Sequence, residues 1–82
     1  MLSMRLNRAF GPYPAGAILQ FEPATSGSVR PGDVVLSGLD DEDLFPHLVT
    51  DSGDLTPFGY INGERQHIRY RAIAVTTQID LL

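Results

Sequence analysis

Short apolar runs separated by glycine and proline set the hydrophobic pattern of this chain. Its 8 glycines and 6 prolines are spread over the sequence and divide most of it into short pieces. No stretch sustains a helical period over about eleven residues, the window in which an amphipathic helix is recognised. Short runs with frequent turn residues are typical of a small all-β domain. We therefore predict an all-β fold, a small β-barrel or β-tulip-like domain with at most one short helical turn.

Three segments have the composition of strands in such a domain. Residues 15–21 (AGAILQF) form the first, and residues 34–36 (VVL) form a short buried strand that follows a turn at residues 30–33 (RPGD). Proline at the second position and glycine at the third fit a type II turn. The last predicted strand covers residues 68–76 (IRYRAIAVT).

The last strand has two different faces if its side chains alternate regularly. One face carries Ile68, Tyr70, Ala72 and Ala74, and the other carries Arg69, Arg71, Ile73 and Val75. The second face changes from charged to apolar halfway along the strand. We therefore expect a strand that begins at a solvent-facing edge and ends covered on both sides.

The acidic middle of the chain leaves two interpretations open. Asp40 could cap a single helical turn that Pro46 would end, or residues 39–49 could form a loop. Residues 51–54 (DSGD) have the composition of a turn. Asn62-Gly63 is a strong β-hairpin signal, although the polar residues 64–67 (ERQH) leave an extended loop as the alternative.

Residues 1–14 form a candidate N-terminal arm ahead of a single domain at residues 15–82. Leu2, Met4 and Leu6 alternate with polar residues, which suits an extended strand, whereas Pro12 and Pro14 cannot donate to a β-ladder. The segment contains two arginines and no acidic residue. It is therefore either an arm that a neighbouring molecule holds in place or an edge strand of the domain itself.

Composition and charge narrow the possible functions. A chain of 82 residues allows one domain, and a domain of this size buries only roughly 60–65% of its unfolded surface. The absence of cysteine excludes disulfides and thiolate metal sites, so oligomerisation or docking on a larger partner remains as a source of stability. The net charge of −4, with six arginines, no lysine and ten acidic residues, argues against nucleic-acid binding.

Targeting signals are not visible in the sequence. The N-terminal region lacks an apolar run of about seven residues, and no window approaches about 18 consecutive apolar residues. We therefore expect a protein that is made in the cytoplasm and has no membrane partner.

Candidate catalytic and metal-binding residues do not form a recognisable motif. The acids at residues 40–43 lack the alternating pattern of a calcium loop, so a solvated loop or helix start is the simpler interpretation. His47 and His67 have no second ligand at a metal-binding spacing, and no serine lies in a nucleophile-elbow motif. We predict no enzymatic activity, no catalytic residue, no metal and no cofactor.

One basic and aromatic group, Arg69-Tyr70-Arg71, has the composition of a platform for single-stranded nucleic acid. Regular alternation along the strand, however, turns Tyr70 away from both arginines. The arginines are then expected to lie over the apolar sheet or to pair with the acidic middle of a neighbouring copy.

Four short motifs follow one another between residues 32 and 80. They are residues 32–36 (GDVVL), 54–58 (DLTPF), 62–64 (NGE) and 72–75 (AIAV), the last leading to Ile79-Asp80. In this order they resemble the capsid head-decoration proteins of tailed bacteriophages, the lambda type. The chain departs from that family by an acidic stretch at residues 39–48 and by ending two residues after Asp80.

The resemblance implies a non-enzymatic virion protein that stabilises a phage capsid from its surface. Its partners would be the major capsid protein and further copies of itself, as a homotrimer or another homo-oligomer, with no nucleic acid and no membrane. We place the capsid or subunit contacts at Arg5, Arg8, Phe10, Tyr13, Arg69 and Arg71. A small regulatory or nucleic-acid-binding β module is the alternative function.

Overall fold

Five antiparallel strands form one sheet that curls into a half-barrel. A computed structural model describes residues 2–57 and 62–76 of the chain. The strands are β1 (Leu2–Arg5), β2 (Ile18–Pro23), β3 (Val34–Ser37), β4 (Phe45–Leu48) and β5 (Ile68–Thr76). Their order across the sheet is β1-β2-β5-β3-β4. A 3₁₀ turn at Arg65–His67 is the only helical element in the described residues, so the all-β prediction is confirmed.

All three predicted strands are present. β5 has the predicted bounds, and β3 extends the predicted segment by one residue, Ser37. β2 begins at Ile18 rather than at residue 15, because a tight turn precedes it. In that turn Gly16 has a left-handed φ of 87°, which glycine adopts without steric cost, and the N–H of Ala17 donates to the carbonyl oxygen of Pro14 (3.2 Å).

Apolar side chains pack in two clusters. The larger cluster contains Leu6, Ala17, Leu19, Phe21, Val34 and Leu36. The smaller cluster contains Val29, Val35, Val49 and Ile68. β3 contributes to both clusters because successive side chains of a strand point to opposite faces of a sheet. Burial on both faces explains why residues 34–36 are uninterruptedly apolar.

β5 does not alternate regularly, so the predicted faces are wrong at two positions. Opposite β3, Tyr70 pairs with Leu36 and Ile68 pairs with Ser37, which leaves Arg69 as an extra residue in a bulge. Ile68 therefore joins the smaller cluster, whereas Tyr70 packs against the larger one. A second irregularity opposite β2 falls at Ile73, whose side chain is exposed rather than covered.

The acidic segment folds as a loop followed by a strand, not as a helix. One carboxylate oxygen of Asp40 accepts hydrogen bonds from the backbone N–H groups of Glu42 and Asp43, each 2.9 Å long. This local turn leads into β4, which begins at Phe45 and includes Pro46. The sequence did not predict this strand, because a proline at position 46 indicated the end of a regular element.

Pro46 is tolerated because β4 lies at the edge of the sheet. The N–H of Val49 donates to the carbonyl oxygen of Asp33 (2.9 Å). Hydrogen-bonded pairs alternate along an antiparallel ladder, so residue 46 turns its backbone nitrogen away from β3. Proline therefore costs no ladder hydrogen bond there, and the open edge lacks a donor at that position.

The N-terminal segment begins as an edge strand of the domain. β1 pairs with β2, with Leu2 opposite Phe21 and Arg5 opposite Ile18. Leu6 is buried in the larger cluster, and its N–H donates to the carbonyl oxygen of Ala17 (2.9 Å). The structure thus contains the edge strand that the sequence left open as the alternative to an arm.

The turn predictions have different outcomes. The turn at residues 30–33 is present, with the N–H of Asp33 donating to the carbonyl oxygen of Arg30 (3.0 Å). The turn at residues 51–54 is present, since the N–H of Gly53 donates to the carbonyl oxygen of Thr50 (2.9 Å). The hairpin at Asn62-Gly63 requires residues 58–61, which lie outside the described residues. Residues 65–67, within the segment expected to be either a strand of that hairpin or an extended loop, form the 3₁₀ turn.

Gly38 connects β3 to the acidic loop, and we expect Gly38→Ala to destabilise the fold. A Cβ at this position would overlap the backbone carbonyl oxygen of Asp43, so the loop must shift. Overpacking of this kind costs about 2 kcal/mol in the free energy of unfolding. Urea denaturation measures the change.

Gly27→Ala is the matched control for that substitution. A Cβ at Gly27 meets no atom within 4 Å, so its effect should be neutral or slightly stabilising. Equal losses of stability in the two variants would contradict the steric argument.

Candidate functional site

A cleft lies at the seam of the half-barrel, where the two edges of the sheet face each other. It has a volume of about 530 Å³. Its walls are formed by Met4, Arg5, Leu6, Asn7, Arg8, Phe10, Leu44, Phe45 and Pro46. We call this the seam cleft. Its walls come from β1, from the segment that follows β1, and from β4. Because β1 and β4 are the two edge strands of the sheet, the cleft exists only when the sheet curls.

The seam cleft is apolar with two arginines. Met4, Phe10 and Leu44 pack against the larger cluster and so extend the core to the surface. Arg5 and Arg8 are both exposed. An apolar floor with positive groups around it suits a partner that combines apolar and acidic side chains.

Three of the six predicted contact residues, Arg5, Arg8 and Phe10, line this cleft. Tyr13 does not line it but is held beside it, because Phe10 and Tyr13 exchange two backbone hydrogen bonds of 2.9 and 3.0 Å. Gly11 between them has a φ of 55°, which permits the tight reversal. The alternation of apolar and polar residues at positions 2–7 indicates strand β1. Nothing in the sequence indicates that β4 forms the opposite wall of the seam cleft.

The two edges beside the seam cleft differ in their free backbone groups. The hydrogen bond from Leu6 to Ala17 places Leu6 in a pair that faces β2, so Ser3 and Arg5 turn their backbone groups outward by alternation. On β4, Pro46 removes one outward donor. Leu48 is covered, because its N–H donates to Oγ1 of Thr56 (3.0 Å) and its carbonyl accepts from the Thr56 N–H (3.0 Å). The β1 edge is therefore the better surface for backbone pairing.

Arg69 and Arg71, the other two predicted contact residues, lie away from the seam cleft and bind their own chain. The Arg69 guanidinium donates to the carbonyl oxygens of Gly38 (3.0 Å) and Leu39 (2.6 Å) and pairs with Asp41 (3.3 Å). Arg71 pairs with Glu22 at 2.7 Å. Tyr70 packs against the larger cluster, so the three residues do not form a joint stacking surface.

A second cleft, of about 320 Å³, opens beside the acidic loop. Its walls are formed by Ser37, Gly38, Leu39, Asp40, Asp43, Phe45, Asn62, Glu64 and His67. We call this the acidic cleft. It combines the end of β3, the start of β4 and the segment before β5, and Phe45 lines both clefts. Sequence reasoning selected its aspartates but not the neighbouring Ser37, nor Asn62 and Glu64, which are distant from the aspartates in sequence.

The two histidines lie in different environments. His47 is fully buried, with its Nδ1 2.5 Å from the carbonyl oxygen of Thr56 and its Nε2 without a partner among the described residues. His67 lines the acidic cleft, with its Nδ1 3.5 Å from a carboxylate oxygen of Glu64. Ser37 lies in the same cleft, yet no hydrogen bond joins it to the imidazole of His67, as nucleophile activation requires.

Metal binding finds no support in residues 2–57 and 62–76, where no group of three or more histidine or carboxylate ligands could hold an ion. One carboxylate oxygen of Asp40 is occupied by backbone N–H groups, and Glu64 accepts a hydrogen bond from the amide of Gln66 (2.8 Å). Among the described residues, no helix is long and apolar enough to cross a membrane.

The fold and its two clefts define a small antiparallel β half-barrel with candidate binding surfaces. The chain matches no protein-family model, no curated protein and no solved structure.

Arg69 anchors the acidic loop, and we expect Arg69→Lys to loosen it. A lysine cannot reproduce the planar fork that reaches two carbonyl groups at once. The expected loss is about 1 kcal/mol of stability, the size of one net hydrogen bond, with faster hydrogen exchange at residues 39–43.

Arg30→Lys is the control, because the Arg30 side chain is exposed and the structure records hydrogen bonds only for the backbone N–H and carbonyl groups of this residue. Unchanged exchange at residues 39–43 in Arg69→Lys would show that the loop does not depend on this side chain.

Proposed function

We propose that the chain is a non-enzymatic virion structural protein that binds and stabilises a phage capsid shell as a homo-oligomer, with the major capsid protein as its partner. The observation that carries the proposal is the seam cleft, which gathers Arg5, Arg8 and Phe10 at one apolar surface. The resemblance of residues 30–80 to lambda-type head-decoration proteins supports the choice of a capsid as the partner.

The charge distribution supports a protein partner for the seam cleft. The whole chain has a net charge of −4, yet the described lining of this cleft contains two arginines and no acidic residue. Long-range repulsion by the acidic domain disfavours nucleic acid, whereas a local acidic and apolar patch on a protein is complementary. Arg69 and Arg71 are paired with carboxylates of their own chain, which leaves fewer cations for phosphates.

The size of the cleft indicates an anchor within a larger contact. Stable protein interfaces bury more than about 1,000 Å² of surface, while a few central side chains supply most of the binding energy. A cleft of about 530 Å³ holds a few such side chains. The outward backbone groups of Ser3 and Arg5 on the adjacent β1 edge can extend the contact.

Docking also answers the stability problem of a small half-barrel. The sheet has two open edges and a core of ten buried apolar side chains among the described residues. A domain of this size is marginally stable alone, and a ligand that binds only the folded state stabilises it. Binding to a shell would therefore stabilise the protein and the shell together.

Capsid binding should depend on the seam cleft. We expect the protein to co-sediment with empty shells built from the major capsid protein encoded in the same genome, and Arg5→Glu to weaken this binding about tenfold through charge reversal at the contact. Arg30→Glu, the same change at an exposed arginine outside both clefts, should bind like the unchanged protein.

Two results would count against the capsid proposal. One is a genome with no capsid gene near the gene for this chain, together with no binding to any shell. The other is retention of the protein on a single-stranded DNA oligonucleotide at low salt with release at high salt, which would favour the nucleic-acid module instead.

Self-association is a separate expectation of the proposal. Sedimentation equilibrium should give a mass that is a multiple of the monomer mass, either in solution or on the shell. A strict monomer that also leaves the shells unbound would contradict the proposal.

A further inference from the structure

The acidic cleft gathers more negative charge than its own chain can neutralise. Asp40, Asp43 and Glu64 line it, no arginine is among its described lining residues, and its one basic side chain, His67, lies with Nδ1 3.5 Å from Glu64. Arg69 lies nearby, but its guanidinium binds two backbone carbonyls and Asp41, which does not line the cleft. The negative electrostatic potential of the cleft therefore favours binding of a cation.

A serine side chain in the same cleft offers an acceptor that its own chain does not use. Ser37 is only 4% exposed and lines the cleft. Its hydroxyl makes no hydrogen bond within the part of the chain that the structure describes. Among the described residues only Nε2 of His47 is both enclosed and unpartnered, so the Ser37 oxygen opens into the cleft, where a donor on a ligand can reach it.

The cleft is held in shape by interactions outside it. The N–H of Gly38 donates to the carbonyl oxygen of His67 (3.0 Å), which ties the end of β3 to the start of β5. Arg69 holds the Gly38 and Leu39 carbonyls, and Asp40 closes the turn that precedes Asp43. The backbone that carries Asp40 and Asp43 is therefore positioned before a ligand arrives, which reduces the entropy cost of binding.

The arrangement suits an organic cation better than a metal ion. No three ligands in the described residues are close enough to hold a metal, so the carboxylates surround a space instead of a point. That space, about 320 Å³, is within the range of small-ligand sites and includes Phe45 and Leu39 as apolar walls. Guanidinium offers five N–H donors in a plane, enough to reach several carboxylates and a hydroxyl, and its alkyl stem can pack on apolar side chains.

We propose that the acidic cleft binds a guanidinium group carried on an alkyl stem, as in an arginine side chain. Ser37 accepts one N–H, and Asp43 and Glu64 accept the others. This site goes beyond the capsid proposal and uses other residues, since only Phe45 lines both clefts. The capsid proposal can therefore fail while this one stands, and the reverse also holds.

The test is a titration of the full chain, labelled with ¹⁵N, with N-acetyl-L-arginine amide, followed by amide chemical shifts. Saturable shifts are expected at residues 37–43 and 62–67. The matched probe is N-acetyl-L-citrulline amide, which has the same shape but a neutral urea in place of guanidinium. It should bind at least about tenfold more weakly, the fold-change of losing one charge-assisted hydrogen bond.

Variants locate the site. Asp43→Asn and Glu64→Gln should each weaken binding of the arginine probe about tenfold. Asp51→Asn removes the same charge from an exposed turn outside the cleft and should leave binding unchanged. Ser37→Ala, which keeps all the charges, should weaken binding of the arginine probe without altering the chemical shifts of distant residues. This variant tests the site if a carboxylate variant does not fold.

Dilution of the protein without probe identifies the source of the guanidinium. Concentration-dependent shifts at the same residues would mean that an arginine of a second copy fills the cleft, whereas their absence would leave a separate partner or a free ligand. Equal binding of the citrulline probe, no saturable shift with the arginine probe, or equal weakening by Asp51→Asn and Asp43→Asn would overturn the proposal.

Discussion

The pairing of β5 on both sides is the interaction on which the rest of the structure depends. β5 lies between β2 and β3, so it joins the β1-β2 pair to the β3-β4 pair. Its partners are far away in sequence, and such long-range pairing is gained only after a large loop-closure cost. The seam cleft needs both pairs, because β1 and β4 form its opposite walls, and the acidic cleft needs the segment before β5 to lie beside the end of β3.

The bulge at Arg69 gives β5 a second role. The extra residue places Ile68 in one apolar cluster and Tyr70 in the other, and the side chain of Arg69 reaches the backbone of the acidic loop. A regular strand would carry its side chains in strict alternation and would not present the same surface to the loop. One local irregularity therefore shapes the core and anchors the backbone of the acidic loop.

The two clefts have opposite charge and meet at Phe45. One is lined by Arg5 and Arg8, and the other by Asp40, Asp43 and Glu64. The separation of charge is a consequence of folding, since β1 brings the basic N-terminal segment to β4 just where the acidic loop ends. A domain with a net charge of −4 thus presents two surfaces with different partner preferences.

The sequence by itself determined the all-β class, the position of β5, the buried run of β3 and the absence of a catalytic motif, because these follow from local composition and side-chain period. It also selected Arg5, Arg8 and Phe10, which share one cleft. Tertiary structure alone decided that Pro46 lies in an edge strand, that Arg69 lies in a bulge, and that Ser37 and Glu64 line one cleft. Those outcomes depend on which strands become neighbours and in what register, and a register is set by contacts between residues distant in sequence.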